Sequence, residues 1–216
     1  MTRFLSLFLA LGTGIAFAAD SPQTKTFTFE DEKAGPVGDA YMVIEGTFNI
    51  AACGEKNQAL EVAANPVKES GILIGESVKG GVTIEAKVLA TKKGRSFPRF
   101  ALGAHGQNGY HVRVTPTLKK VELTKGDDII AEAPFEWTSG QWCHLKLNLE
   151  QSASGWDITA KAWMDSSIEP KEPQVKGTAT AEFKGQGRTF LFASPYSGIP
   201  VYFDDVKVTP KALKGK

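Results

Sequence analysis

Apolar and polar residues alternate one for one along most of this chain. In GVTIEAKVLA, Val82, Ile84, Ala86 and Val88 fall on one side, and Thr83, Glu85 and Lys87 on the other. RFALGA sets Phe100, Leu102 and Ala104 against Arg99, Ala101 and Gly103. GYHVRV sets Tyr110, Val112 and Val114 against His111 and Arg113. HLKLNL and WDITAKAW follow the same rule, the second with Trp156, Ile158, Ala160 and Ala162 inward. Successive strand residues point to opposite faces, so this period predicts antiparallel strands with one buried and one polar side. Turn-forming stretches separate them: HGQNG (105–109), TPTLK (115–119), TKGDD (124–128), QSASG (151–155) and PYSGIP (195–200). Strands recurring about every ten residues predict an all-β sandwich or barrel. AACGEKNQALEVAAN reads as loop then strand, through Gly54 and the alternating Leu60 and Val62. VYFDDVKV (201–208) is the awkward strand. If alternation runs straight through it, Asp204 shares a core-facing side with Tyr202, Val206 and Val208, where an unpaired carboxylate is costly.

The N-terminus changes the picture by adding a compartment. MTRFLSLFLALGTGIAFAAD carries a basic Arg3, an apolar run from Phe4 and a small-residue ending at Ala16-Phe17-Ala18. Residues 1–18 are therefore expected to be a signal peptide cleaved after Ala18. The run is too short for a membrane anchor and is interrupted by Gly12 and Gly14. The remainder is expected to be one domain over 19–210, exported to the periplasm, cell surface or medium, with a basic disordered tail at 211–216. The whole chain has a formal net charge of +1, and removing Arg3 leaves none, so charge makes no case for nucleic acid or an anionic membrane. Export permits a disulfide between Cys53 and Cys143. Cys143, in register with Leu145, Leu147 and Leu149, equally reads as a buried thiol, and both readings stand.

Taken in order, certain segments resemble the concanavalin A-like, laminin-G-like jelly rolls exported by environmental bacteria. They are FTFEDEKAGP (27–36), GTFNI (46–50), GILIGESVKGGVTIEAKV (71–88), RSFPRFALGAHGQNGYHVRV (95–114), PFEWTSGQWCHLKLNL (134–149), WDITAKAW (156–163) and PYSGIPVYFDDVKV (195–208). The W-x-x-G-x-W from Trp137 to Trp142 and the closing F-D-D-V are the most specific pieces. The resemblance implies two curved antiparallel sheets, one with a concave outer face. Carbohydrate binding is the commonest role in such proteins, beside glycosidases, lyases and protein-binding modules; fold alone does not choose among them. Many of these jelly rolls hold calcium where the first and last strands meet. The resemblance thus implies a structural Ca2+ site from Glu30 and Asp31 with Asp204 and Asp205. The other reading of Asp204 is a carboxylate accepting hydrogen bonds from backbone N–H groups of a neighbouring loop.

The polar sides of the alternating strands supply the candidate ligand face. Beyond ordinary lysines they carry Arg99, Arg113, His111, His144 and an outward Trp163. Sugars are held by aromatic stacking on their C–H faces and by planar multi-donor side chains. Arg99, His111, Arg113 and Trp163 are therefore the expected contacts, with Glu85 and Lys146 in support and an acidic glycan favoured by the two arginines. The expected role is a non-catalytic exported carbohydrate-binding module. The alternatives are a polysaccharide-active enzyme or an envelope protein-interaction domain. No E-x-D-x-x-E pattern of the jelly-roll endoglucanases and no G-x-S-x-G is present. A lyase arrangement of His111, Arg113 and Tyr196, or a dispersed acid pair including Glu85, are the enzymatic forms that stay open. His105, His111 and His144 lack the spacing of a zinc site.

Overall fold

The computed structural model describes residues 23–65 and 69–211; the expected signal peptide and the end of the basic tail lie outside them. Two antiparallel sheets pack face to face as a sandwich. Among the described residues one sheet has nine strands. In order these are β14 (Val175–Thr180), β13 (Gly155–Met164), β12 (Trp142–Ser152), β7 (Val82–Leu89), β16 (Val201–Pro210), β5 (Gln58–Val62), β4 (Phe48–Ala52) and β2 (Gly35–Pro36). The ninth, β1 (Lys25–Phe27), pairs with the far part of β16. The other sheet runs β11 (Asp128–Pro134), β10 (Lys120–Lys125), β9 (Tyr110–Thr115), β8 (Arg99–Ala104), β15 (Gln186–Ser194), β6 (Ser70–Lys79) and β3 (Met42–Glu45). No helix among the described residues is long and apolar enough to cross a membrane.

The inward sides are those the alternation predicts. Val82, Ile84 and Val88 of β7 and Leu145, Leu147 and Leu149 of β12 meet Phe100 and Leu102 of β8 and Val112 and Val114 of β9 in one buried cluster. Fully burying a side chain of this size contributes about 1.5–3 kcal/mol, so the inward rows supply the main drive for sheet stacking. Cys143 is buried in the same layer and Cys53 lies in the β4–β5 turn; both are free thiols. Burial, followed by the Asp204 and Glu61 charges, pushes the Cys53 thiol up to about 11, while burial alone raises that of Cys143.

The last strand departs from the expected phase. Asp204 stands opposite Lys87, but the register then shifts so that Lys207 stands opposite Glu85. Asp205 takes a left-handed backbone (φ 48°), which aspartate tolerates better than most residues. This bulge inserts one extra residue and resets the alternation. Val201 and Phe203 face the core before it, and Val206 and Val208 after it. Tyr202 and Asp204 therefore do not share the side of Val206 and Val208, and the adjacent aspartates mark the point where the strand changes phase.

Candidate functional site

A groove of about 310 Å³ lies on the outer face of the seven-stranded sheet. Its floor comes from β8, where Ala101 fills a polar-side position, while Gly103, two residues on, lies beneath the His111 ring. On one side β15 places Phe190 opposite Gly103 and Phe192 opposite Ala101. On the other, β9 places His111 opposite Gly103 and Arg113 opposite Ala101. The loops contribute Gln107, Asn108, Gly126 and Asp127, and Arg99 and Glu69 close one end.

Two glycines let aromatic rings lie flat here. A Cβ on Gly103 would stand 2.3 Å from His111 Cδ2, and one on Gly71 would stand 2.8 Å from Phe190 Cε2. The His111 and Phe190 rings thus rest across the backbone of neighbouring strands, with centroids 5.2 Å apart, and Phe192 follows at 6.3 Å from Phe190.

Two arginine–carboxylate pairs organise the polar wall. Glu122, only 1% exposed, stands opposite Arg113 on β10. Its Oε2 accepts from Arg113 Nε at 2.8 Å and from Thr115 Oγ1 at 2.7 Å. At the groove's end Arg99 donates to Glu69, which also accepts from Ser194 and Tyr196 hydroxyls at 3.5 Å each. The Arg99 guanidinium also lies over the Phe192 ring at 5.6 Å. Burial brings the His111 imidazole down to about 4, with Arg113 adding in the same direction. Its Nε2 sits 3.2 Å from the Gly106 carbonyl, which assigns the ring proton of the neutral form to that nitrogen. Tyr196 is tied to Glu69, and His111 to Gly106.

Arg99, His111 and Arg113 are brought together as the sequence suggests, but Glu85, Lys146 and Trp163 are not with them. These three lie on the outer face of the nine-stranded sheet, on the far side of the molecule. Glu85 and Lys146 stand opposite one another on β7 and β12 and form an ion pair at 3.0 Å. Glu169, from the loop after β13, pairs with Lys146 at 3.3 Å and Lys161 at 2.8 Å. Trp163 stacks on His144 with centroids 4.9 Å apart and planes within 8°. Alternation distinguishes inside from outside but carries no information on which sheet a strand joins, and that divided the set. The sequence reading also missed Glu69, Glu122, Phe190 and Phe192. VELTK signals Glu122 as outward by simple alternation. In TFLFAS every position is apolar or small, so the period-two signal that would separate Phe190 and Phe192 from Leu191 and Ala193 is absent.

The four acidic residues suggested for calcium do not gather into a ligand set. Asp204, 5% exposed, accepts from Asn57 Nδ2 at 3.0 Å and from the Asp205 N–H at 2.7 Å. Asp205 pairs with Lys87 at 2.9 Å, and the Glu30 carboxylate accepts from the Gln58 N–H. Among the described residues no three His, Cys, Asp or Glu side chains are arranged to hold a metal ion, so the side chains present do not fit calcium. The first and last strands do pair, Phe27 opposite Val206.

Burial raises the Asp204 carboxyl above its ordinary range, with Asp205 and Glu30 adding to the rise against the hydrogen bonds that lower it. A raised folded value means stability is fullest below the unfolded pKa near 3.9 and is lost as pH climbs through the folded one. Asp204→Asn, keeping an acceptor for the Asp205 N–H, is expected to melt a few degrees above the parent at pH 7 and level with it near pH 3. Asp204→Ala strands both donors and is expected to cost about 1–3 kcal/mol. Thermal melts with and without chelator check this. A chelator-sensitive parent and a destabilised Asp204→Asn would point to a cation instead.

No protein-family model matches the sequence, and no curated relative matches it. Solved structures share its architecture at low identity. Carbohydrate-binding module CBM66 from Bacillus subtilis aligns with a TM-score of 0.52 at 18% identity, over 78% of this chain and 94% of its own. Lectin I-B4 from Griffonia simplicifolia, in a metal-free form, aligns at 0.59 and 12% identity, over 86% and 98%. The exoplasmic/lumenal domain of VIP36, solved with Ca2+ and Man3GlcNAc, aligns at 0.57 and 8%, over 82% and 86%. Together with the sheet order, these establish the fold as a concanavalin A-like jelly roll.

Proposed function

We propose that the groove over the seven-stranded sheet binds carbohydrate, in an exported protein that does not act catalytically on it. The observation that carries this reading is the composition of the groove. The small Ala101 on the floor leaves room for a ring, Phe192 offers apolar surface to C–H faces beside the largely buried Phe190, and Arg113, Arg99, Gln107 and Asn108 offer planar hydrogen-bonding groups. The lining exposes more polar than apolar surface, which suits a hydroxyl-rich ligand better than an apolar one, and the volume lies near the lower end of the usual range of about 300–1,000 Å³. It suits a short stretch of glycan. The module and lectins that share the fold support the reading by analogy, and the leader-like N-terminus supports export.

The test is a glycan and polysaccharide array with residues 19–216, followed by product analysis of every hit. Intact bound glycan is the expected result. An empty array overturns the reading, and cleaved glycan moves the assignment to an enzyme. Phe192→Ala is expected to weaken any hit about tenfold, or ~1.4 kcal/mol. Trp163→Ala, on the opposite face, should leave affinity unchanged by calorimetry.

A further inference from the structure

We infer that the groove selects neutral glycans and disfavours acidic ones, because both of its arginines are already discharged by carboxylates of the chain itself. The inference rests on the carbohydrate reading and names the substrate class of the same site.

Arginines facing a groove ordinarily suggest an anionic ligand, and the sequence alone points that way. The geometry reverses it. Arg113 is 14% exposed and its partner Glu122 2%, so this pair is built into the wall rather than free to swing toward a ligand. Arg99 is held by Glu69 and lies against Phe192. Asp127 adds a further carboxylate at the rim. Two guanidinium groups therefore face three carboxylates. His111 adds no compensating charge at neutral pH, since burial keeps its imidazole unprotonated down to about pH 4.

A uronate carboxylate would have to displace an intramolecular partner and then sit beside it. Like charges at such close range repel even at the effective dielectric of a protein surface. A sugar hydroxyl faces no such conflict. It both donates and accepts, and an arginine–carboxylate pair presents an N–H donor and a carboxylate acceptor side by side.

The experiment compares matched polymers by affinity electrophoresis and calorimetry on residues 19–216. The pairs are hydroxyethyl- and carboxymethyl-cellulose, galactan and polygalacturonate, and mannan and polymannuronate. A neutral member is expected to bind at least about tenfold tighter than its acidic counterpart. That binding should change little between about 20 mM and about 500 mM NaCl, since neutral contacts are not screened. Glu69 is half exposed, so Glu69→Gln should fold normally. By freeing Arg99 it should gain about tenfold for the acidic member, a gain that added salt removes. Acidic polymers binding the parent as tightly as neutral ones would overturn the inference while leaving the carbohydrate reading standing. Failure of Glu69→Gln to gain acidic affinity would overturn the role given to the Arg99–Glu69 pair. Binding of neither member of any pair would overturn the carbohydrate reading itself.

Discussion

Glu122→Ala is expected to lower folding stability by about 3–5 kcal/mol, the usual cost of removing one partner from a buried ion pair. Glu122 is almost fully covered, and it accepts from both Arg113 and Thr115. The truncation leaves a guanidinium in a poorly solvated wall and a hydroxyl without its acceptor. For a domain of this size the melting temperature should fall by roughly 10 °C. A second variant separates the charge effect from simple loss of side-chain volume. Glu122→Leu combined with Arg113→Met removes both charges, and apolar replacement of a whole buried pair is often neutral or stabilising. The double variant should recover most of the loss while abolishing glycan binding. Glu122→Ala melting within about 2 °C of the parent would show that water or rearrangement satisfies Arg113.

Acid should destabilise the fold as pH falls from about 6.5 toward 4. An unfolded histidine takes up a proton near pH 6.5, whereas buried His111 resists until about pH 4. Between those values the unfolded chain binds more protons. The contribution is therefore full above pH 6.5 and drains away as pH falls toward 4. At 6% exposure the group is worth up to about 3 kcal/mol over that window. His105 acts in the same direction, its imidazole also lowered to about 4 by burial. Asp204 opposes both, since its raised carboxyl favours the fold as pH drops. Urea unfolding at pH 7.5, 5.5 and 4 should thus show a fall of a few kcal/mol, roughly halved in His111→Phe. Phenylalanine keeps a ring over Gly103 and cannot titrate. It loses the hydrogen bond to Gly106, a cost of about 1 kcal/mol that does not vary with pH. An unchanged acid slope in His111→Phe would mean that His111 protonates freely in the fold.

Much of the architecture was legible because alternation is a local property of the strand. The inward rows from Val82 to Val88 and from Cys143 to Leu149 are buried as the pattern requires. The turn before β9 and the loop at Gly54 fall where glycine and polar residues place them. Half of the site was legible for the same reason. Arg99, His111 and Arg113 alternate against core residues on consecutive paired strands, so local facing brought them together.

The rest depended on contacts distant in sequence. β7 and β8 follow one another along the chain yet join different sheets, which sent Glu85 to one outer face and Arg99 to the other. β15 lies between β6 and β8, and only that placement sets Phe190 and Phe192 beside Ala101 and Gly103. The bulge at Asp204–Asp205 arises from pairing with β7, where the register shifts by one residue. The sequence by itself determined which side of each strand is apolar and where the chain turns, because pleating acts between adjacent residues. The tertiary structure alone decided which sheet each strand entered, which carboxylate met which arginine, and hence what charge the groove presents, because those follow from long-range hydrogen-bond register.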